Sequence, residues 1–192
     1  MSTAGFLRWG ALAAIVGGAL SVLFPFVGES SWLHVPVDAA CYALLVVGVV
    51  GLYLHLRRSS GFGRLGTVGF YVCLFVFALV AILDLGIIVN EGVEQTYIAL
   101  GPVRGPGLMV GLVLFGVATL REGSLPRGGA WLLIAAALTN VLGVLAMIIS
   151  GGTLGGWVFI LPTVLFGLGW AWLGYALWYE GRVSAEQPSR VR

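Results

Sequence analysis

Charged residues of opposite sign stand near one another in an otherwise apolar part of the chain. Asp84 and Glu91 end one long apolar run, and Arg104 begins the next. An ionised side chain at membrane depth is costly, so each of these residues is a functional candidate. Asp84 and Glu91 are seven residues apart and share a helix face. A guanidinium fork matches a carboxylate, so the three residues predict either an ion pair or a binding site for a small molecule or ion.

The depth of these side chains follows from the arginines at the far ends of the same runs. Asp84 comes twenty residues after Arg64, which is roughly 30 Å along a helix. Arg104 comes seventeen residues before Arg121, which is roughly 25 Å. Asp84 and Arg104 therefore reach similar depths on consecutive helices.

The segment around Arg104 is unusually rich in glycine and proline, with the sequence LGPVRGPG at 100–107. Proline suits the first turn of a helix and damages its interior, so we expect a regular helix from Pro106 and irregular backbone before it. Irregular backbone at membrane depth is buried in protein or lines a cavity. Short spans interrupted by glycine and proline often mark transporter sites. The segment therefore predicts an outward-facing polar pocket between the third and fourth helices.

A structural interpretation of the same residues stays open. Asp84 and Arg104 could form only an ion pair that locks two helices, and Gly107 and Gly111 could serve close helix contact. Asn140 and Trp170 lie deep in the last two apolar runs. We count both as candidate ligand-binding residues, although an interhelical hydrogen bond and core packing are the ordinary roles of such side chains.

Several kinds of chemistry are excluded or disfavoured by residue type. All ten cations are arginine, and the absent lysine rules out a retinal or pyridoxal Schiff base and a Walker A loop. His34 falls in the outer loop before the second predicted helix, and His55 falls at the inner face, so the two histidines lie on opposite sides of the membrane and predict no metal site. Cys41 and Cys73 differ in depth by about 10 Å, so they predict no disulfide. Because no catalytic motif is present, we expect no cofactor, no metal and a non-catalytic protein. The arginines form no single stripe, so no nucleic-acid partner is expected.

The elements that must position these residues follow from composition. The 192 residues are 59% apolar and 9% charged, whereas a soluble domain carries about a quarter charged residues. Apolar segments of roughly 20 residues span a bilayer, and only helices satisfy their backbone without a closed barrel. We predict an all-α, polytopic bundle of six transmembrane helices in one domain, residues 1–180, followed by a short polar tail at 181–192. The predicted helices are 8–28, 36–56, 65–89, 98–120, 129–150 and 157–179.

Arginine placement predicts the orientation of the bundle. With six spans, nine of the ten arginines share one end, and only Arg104 belongs to the other. The positive-inside rule makes the arginine-rich end cytoplasmic. We therefore expect both termini in the cytoplasm of a multi-pass protein of the plasma (inner) membrane.

Two segments resemble a known group of proteins. TLREGSLPR at 119–127 and LFGLGWAWLGYALW at 165–178 are similar to segments of small six-span membrane proteins of actinobacteria and related high-GC bacteria. The resemblance covers roughly the last three spans. It implies the architecture and a bacterial plasma membrane, and it implies no activity.

Two functions remain open at this stage. The first is binding or transport of a small molecule or ion through the pocket around Asp84, Glu91 and Arg104. The alternative is a non-catalytic scaffold or accessory subunit, which would pack in an oligomer or against a membrane partner through the glycine-rich faces 17–18, 48–51 and 151–156. In either case the lipid bilayer is the main surrounding of the chain.

Overall fold

Six long apolar helices dominate the chain. A computed structural model describes residues 3–27, 32–57, 62–90, 93–151, 153 and 155–186, and all regular structure in these ranges is helical. Six of the helices are long and apolar enough to cross a membrane, which confirms the predicted all-α six-helix fold. The α-helices are α1 (Thr3–Leu23), α2 (His34–Leu56), α3 (Gly63–Val89), α4 (Val93–Ala99), α5 (Gly101–Glu122), α6 (Arg127–Ile149) and α7 (Ile160–Glu186), and short 3₁₀ helices cover Phe24–Phe26 and Gly155–Phe159.

The start of α5 differs from the prediction. No irregular segment precedes Pro106, because α5 begins at Gly101 and continues through Pro106. Pro102 lies in the first turn, where a backbone N–H has no acceptor within the helix, so its missing donor costs nothing there. The N–H of Arg104 already donates to the carbonyl of Leu100 at 2.9 Å. The helix therefore starts at Gly101, five residues earlier than expected.

Two further stretches are helical where the sequence pattern does not indicate a helix. The seven-residue α4 lies between α3 and α5. At the other end of the chain, α7 continues to Glu186 and so includes the first part of the predicted tail. Residues 187–192 of that tail lie outside the described residues.

The six long helices form a closed ring. Each packs against its neighbours in the order α1, α2, α3, α5, α6, α7, and α7 returns to pack against α1. Short turns between consecutive long helices make neighbours antiparallel. The ring therefore has an arginine-rich end, where Arg57, Arg64, Arg121 and Arg127 lie, and an opposite end, to which α4 belongs.

Glycines bring the helices of the ring into direct backbone contact. A Cβ atom at Gly18 of α1 would collide with the Gly167 carbonyl of α7 and would stand 2.6 Å from the Ala171 nitrogen. A Cβ atom at Gly48 of α2 would stand 2.9 Å from the Cα atom of Ala14. Such close approach between helices requires residues without a side chain. The glycine faces 17–18 and 48–51 are therefore occupied by contacts within the protomer.

Aromatic side chains fill the centre of the ring toward the arginine-rich end. Trp170, Phe77 and Phe115 are fully buried, with 0% exposure. The Trp170 ring lies 5.5 Å from that of Phe77 and 5.6 Å from that of Phe115, distances typical of favourable aromatic pairs. This aromatic core closes the centre of the bundle from that side.

Candidate functional site

Toward the opposite end, the centre of the ring opens into a pocket of about 490 Å³. Every long helix except α3 contributes to its wall, together with α4. Its inner part is apolar, formed by side chains such as Leu108, Met109 and Phe166. The polar side chains of the wall are Ser21, His34, Asp38, Cys41, Tyr42, Tyr97, Arg104, Asn140 and Thr163.

The pocket does not lie between the third and fourth predicted spans, which correspond to α3 and α5. These two helices are in direct contact, because a Cβ atom at Gly111 would stand 2.8 Å from the Cys73 sulfur. On the other helix, a Cβ atom at Gly69 would stand 2.6 Å from the Phe115 nitrogen. These glycines allow α3 and α5 to pack without a gap between them. The open space lies instead in the middle of the ring.

Arg104 is a charged residue of the predicted site that also lines the pocket. It lies in the first turn of α5 and lines the pocket. Its guanidinium carbon is 3.9 Å from the ring centroid of Tyr97, which is a cation–π contact. Stacking uses the face of the guanidinium and leaves the N–H groups in its plane. One of these nitrogens, Nη1, is buried and has no hydrogen-bond partner.

Tyr97 reaches the pocket because α4 forms a short helix between α3 and α5. Burial raises the pKa of the Tyr97 phenol, and the nearby Arg104 guanidinium opposes that rise. The phenol is therefore uncharged at neutral pH and can both donate and accept a hydrogen bond. Tyr97 thus combines an aromatic face for Arg104 with a polar tip at the pocket.

Asp38, near the start of α2, supplies the acidic group of the wall. Asp38 is not among the site residues that the sequence analysis singled out. One signal could have found it: Asp38 comes nineteen residues before Arg57, roughly 28 Å along a helix, which is close to the depth of Asp84. Equal depth on different helices is thus the better guide to this site than proximity in sequence.

Asp84 lies behind Asp38 and does not line the pocket. Its residue exposure is 2%, and its Oδ2 atom has no hydrogen-bond donor. The two carboxyl groups are close enough to interact with each other, and both interact electrostatically with Arg104. No Arg104 nitrogen lies within 4.0 Å of an oxygen of Asp84, so the predicted ion pair is not a direct contact.

The other predicted site residues lie in different parts of the structure. Asn140 of α6 lines the pocket and is partly buried. Trp170 does not line it and lies one helical turn deeper than the lining residue Phe166, in the aromatic core. Glu91 lies outside the described residues. Of the predicted set, Arg104 and Asn140 therefore face the pocket, and Asp84 lies just behind its wall.

Some polar groups of the wall are already engaged by the backbone. The Ser21 hydroxyl donates to the Gly17 carbonyl at 3.0 Å, and the Thr163 hydroxyl donates to the Phe159 carbonyl at 2.8 Å. The Cys41 thiol contacts the Ser21 hydroxyl at 2.9 Å. Such hydrogen bonds are common for hydroxyl groups within helices, and they already use the donors of these side chains. The groups with capacity to bind a ligand are thus the charged pair Asp38 and Arg104, with the tyrosines and Asn140 around them.

A metal site is not formed by this arrangement. Over the described ranges, no group of three or more His, Cys, Asp and Glu side chains is placed to hold a metal ion. The pocket instead has a guanidinium and a carboxyl group in its wall, together with an apolar interior. This combination suits the binding of a small molecule that has both polar and apolar parts.

Comparison with known proteins adds no relative to these observations. No protein family, no curated protein and no solved structure matches the chain. Function therefore has to be argued from the chemistry of the pocket itself.

Proposed function

We propose that this integral membrane protein binds a small organic molecule in the pocket at the end of the ring opposite the arginine-rich end, with an anionic oxygen group of the ligand on Arg104. The observation that carries the proposal is the Arg104 Nη1 atom, which is buried at the pocket wall without a hydrogen-bond partner. A bound oxyanion would supply that partner. Uptake of such a molecule across the membrane is the natural use of the site.

The size of the pocket supports a ligand rather than a packing defect. Protein interiors contain few voids larger than a water molecule. A volume of about 490 Å³ lies within the range of roughly 300–1,000 Å³ that is typical of small-molecule sites. Its lining also has the usual composition of such sites, with apolar walls and a few polar groups. The space is therefore large enough for a molecule of the size of an aromatic acid.

The missing hydrogen-bond acceptor of Arg104 Nη1 supports an anionic group on the ligand. A buried donor without an acceptor costs about 1–3 kcal/mol, and more when the donor is charged. Stacking on Tyr97 holds the guanidinium in place, and Nη1 at its edge has no hydrogen-bond partner. A carboxylate would accept two parallel hydrogen bonds from this edge. Arg104 is therefore preorganised for an oxyanion.

The scaffold alternative loses its main support. Two of the glycine-rich faces that suggested a partner helix are occupied within the ring, through Gly18 against Gly167 and Gly48 against Ala14. Of the third face, 151–156, the structure describes only a part. Internal packing accounts for the first two faces without a second subunit.

The binding proposal is tested by thermal unfolding of the detergent-purified protein with 3-phenylpropanoate and with the uncharged 3-phenylpropanol. We expect the acid to raise the unfolding temperature and the alcohol to leave it unchanged, because a ligand stabilises only the folded state that binds it. Arg104→Ala should weaken binding of the acid at least about tenfold, since hydrogen bonds to charged groups contribute about 1.5–3 kcal/mol. Arg104→Lys should also weaken it, because an ammonium lacks the planar fork.

The matched control is Arg64→Ala, which removes an exposed arginine from the far end of α3 and should keep the response to the acid. An equal response to the acid and the alcohol, or an unchanged response in Arg104→Ala, would contradict the proposal. Absence of any response to a carboxylate would also count against it.

We further propose that the arginine-rich end faces the cytoplasm and that the pocket opens on the outer face of a bacterial plasma membrane. The positive-inside rule supports this orientation. Single cysteines at Trp32 and at Ser124, two exposed positions at opposite ends, test it. A membrane-impermeant maleimide applied to intact cells should label Trp32→Cys, and Ser124→Cys only after permeabilisation. Because Cys41 and Cys73 are buried, the unmodified chain gives the background. The reverse labelling pattern would overturn the orientation.

A further inference from the structure

The pocket contains charges of opposite sign that do not touch. Asp38 on α2 and Arg104 on α5 both line it, and no Arg104 nitrogen lies within 4.0 Å of an Asp38 oxygen. Two such groups in one small cavity attract each other and would normally pair. Here they stand on different helices of a tightly packed ring, so a gap is kept between them. A ligand with two charges can bridge such a gap.

The carboxyl side of this gap lacks a close cation. Asp38 and Asp84 are close enough to interact with each other, and Arg104 is the cation that interacts with both. Among the described residues, no cationic nitrogen lies within 4.0 Å of an oxygen of Asp38 or Asp84, and a buried charge without a close partner is strongly unfavourable. Asp84 Oδ2 also has no donor. The acidic side of the pocket therefore needs a positively charged hydrogen-bond donor.

We infer that the ligand is a zwitterion, a molecule with a protonated amine for Asp38 and an anionic oxygen group for Arg104. This inference rests on the proposed binding function and names the class of ligand for that same pocket. An ammonium group beside Asp38 gives that carboxyl group a close cationic partner, while a carboxylate on Arg104 gives Nη1 an acceptor. The apolar part of the ligand lies against Leu108, Met109 and Phe166, which line the deeper wall. Small amino acids with an apolar side chain have this combination of groups.

Three compounds with the same phenyl group separate the contributions of the two charges. Phenylalanine carries both charges, 3-phenylpropanoate carries only the anion, and 2-phenylethylamine carries only the cation. In titrations that follow the thermal stability of the full chain, we expect phenylalanine to bind at least tenfold more tightly than either singly charged compound. The Asp38→Asn variant should remove the advantage of phenylalanine over 3-phenylpropanoate. Binding of 3-phenylpropanoate to that variant shows that the pocket is intact, and so separates a lost amine contact from a misfolded protein.

Each outcome has a defined meaning. If 3-phenylpropanoate binds as tightly as phenylalanine in the wild-type protein, the zwitterion inference is wrong while the proposed binding function stands. The same holds if Asp38→Asn keeps the full preference for phenylalanine, because the amine then has another partner. If none of the carboxylates binds, the proposed function itself fails. Tightest binding of 2-phenylethylamine would show a cation site on the carboxyl pair and would overturn the inference.

Discussion

Replacing Gly18 by alanine should destabilise the protein by about 1–3 kcal/mol, since an added methyl group there has no space to occupy. The new Cβ atom would collide with the Gly167 carbonyl and stand 2.6 Å from the Ala171 nitrogen. Both obstacles are backbone atoms of α7, so no side chain can rotate away. Relief requires α1 and α7 to separate, which opens the contact that closes the ring. A lower unfolding temperature in detergent and a reduced monodisperse fraction on gel filtration are the expected measurements.

Gly105→Ala is the matched control for this change. It adds the same methyl group to the interior of a helix, and its Cβ atom would meet nothing within 4 Å. Since alanine favours a helix by up to about 1 kcal/mol over glycine, the control should unfold at the same or a slightly higher temperature. Equal stability of the two variants would show that α1 and α7 are not in backbone contact at Gly18.

Replacing Trp170 by alanine should cost about 3–5 kcal/mol of stability, the usual range for removal of a large aromatic side chain from a core. The side chain is fully buried between helices and packs against Phe77, Phe115 and Phe166. The centroids of the three neighbouring rings lie 5.5 to 6.3 Å from the Trp170 ring. Removal of the indole therefore leaves a cavity between rings that are already packed. Equilibrium unfolding in mixed detergent and SDS measures the loss directly.

Trp172→Ala gives the comparison on the same helix two residues away. Trp172 is 51% exposed and lies on the outer surface of the ring. Its removal deletes the same number of atoms but creates no internal cavity, so the stability should change by much less. If both variants lost equal stability, the aromatic core would not be the main support of the bundle.

The architecture could be predicted from the sequence because lipid imposes a simple length requirement. A run of about 20 apolar residues such as α3 has no stable alternative to a helix in the membrane. The start of α5 was misplaced because two prolines compete for the first turn, and the pattern alone does not show which one occupies it. The hydrogen bond from Arg104 to Leu100 settles that the first proline does.

The site was only partly predictable, because its position depends on which helix faces meet. The sequence indicates Arg104 through its charge in an apolar run, but it does not show that Gly69 and Gly111 bring α3 and α5 together. That contact displaces the pocket toward α2 and makes Asp38 its acidic residue. Trp170 was a candidate by type alone, and its surroundings make it a core residue. Helix depth can thus be read from residue counts, whereas rotation about the helix axis requires the packing.

The aromatic core beneath the pocket has a consequence for how a solute would travel. Phe115 and Trp170 fill the middle of the bundle and are fully buried, so they separate the pocket from the arginine-rich end. A molecule in the pocket cannot continue along the central axis in this conformation. Passage to the other side of the bilayer would require these rings to swing out of the central axis.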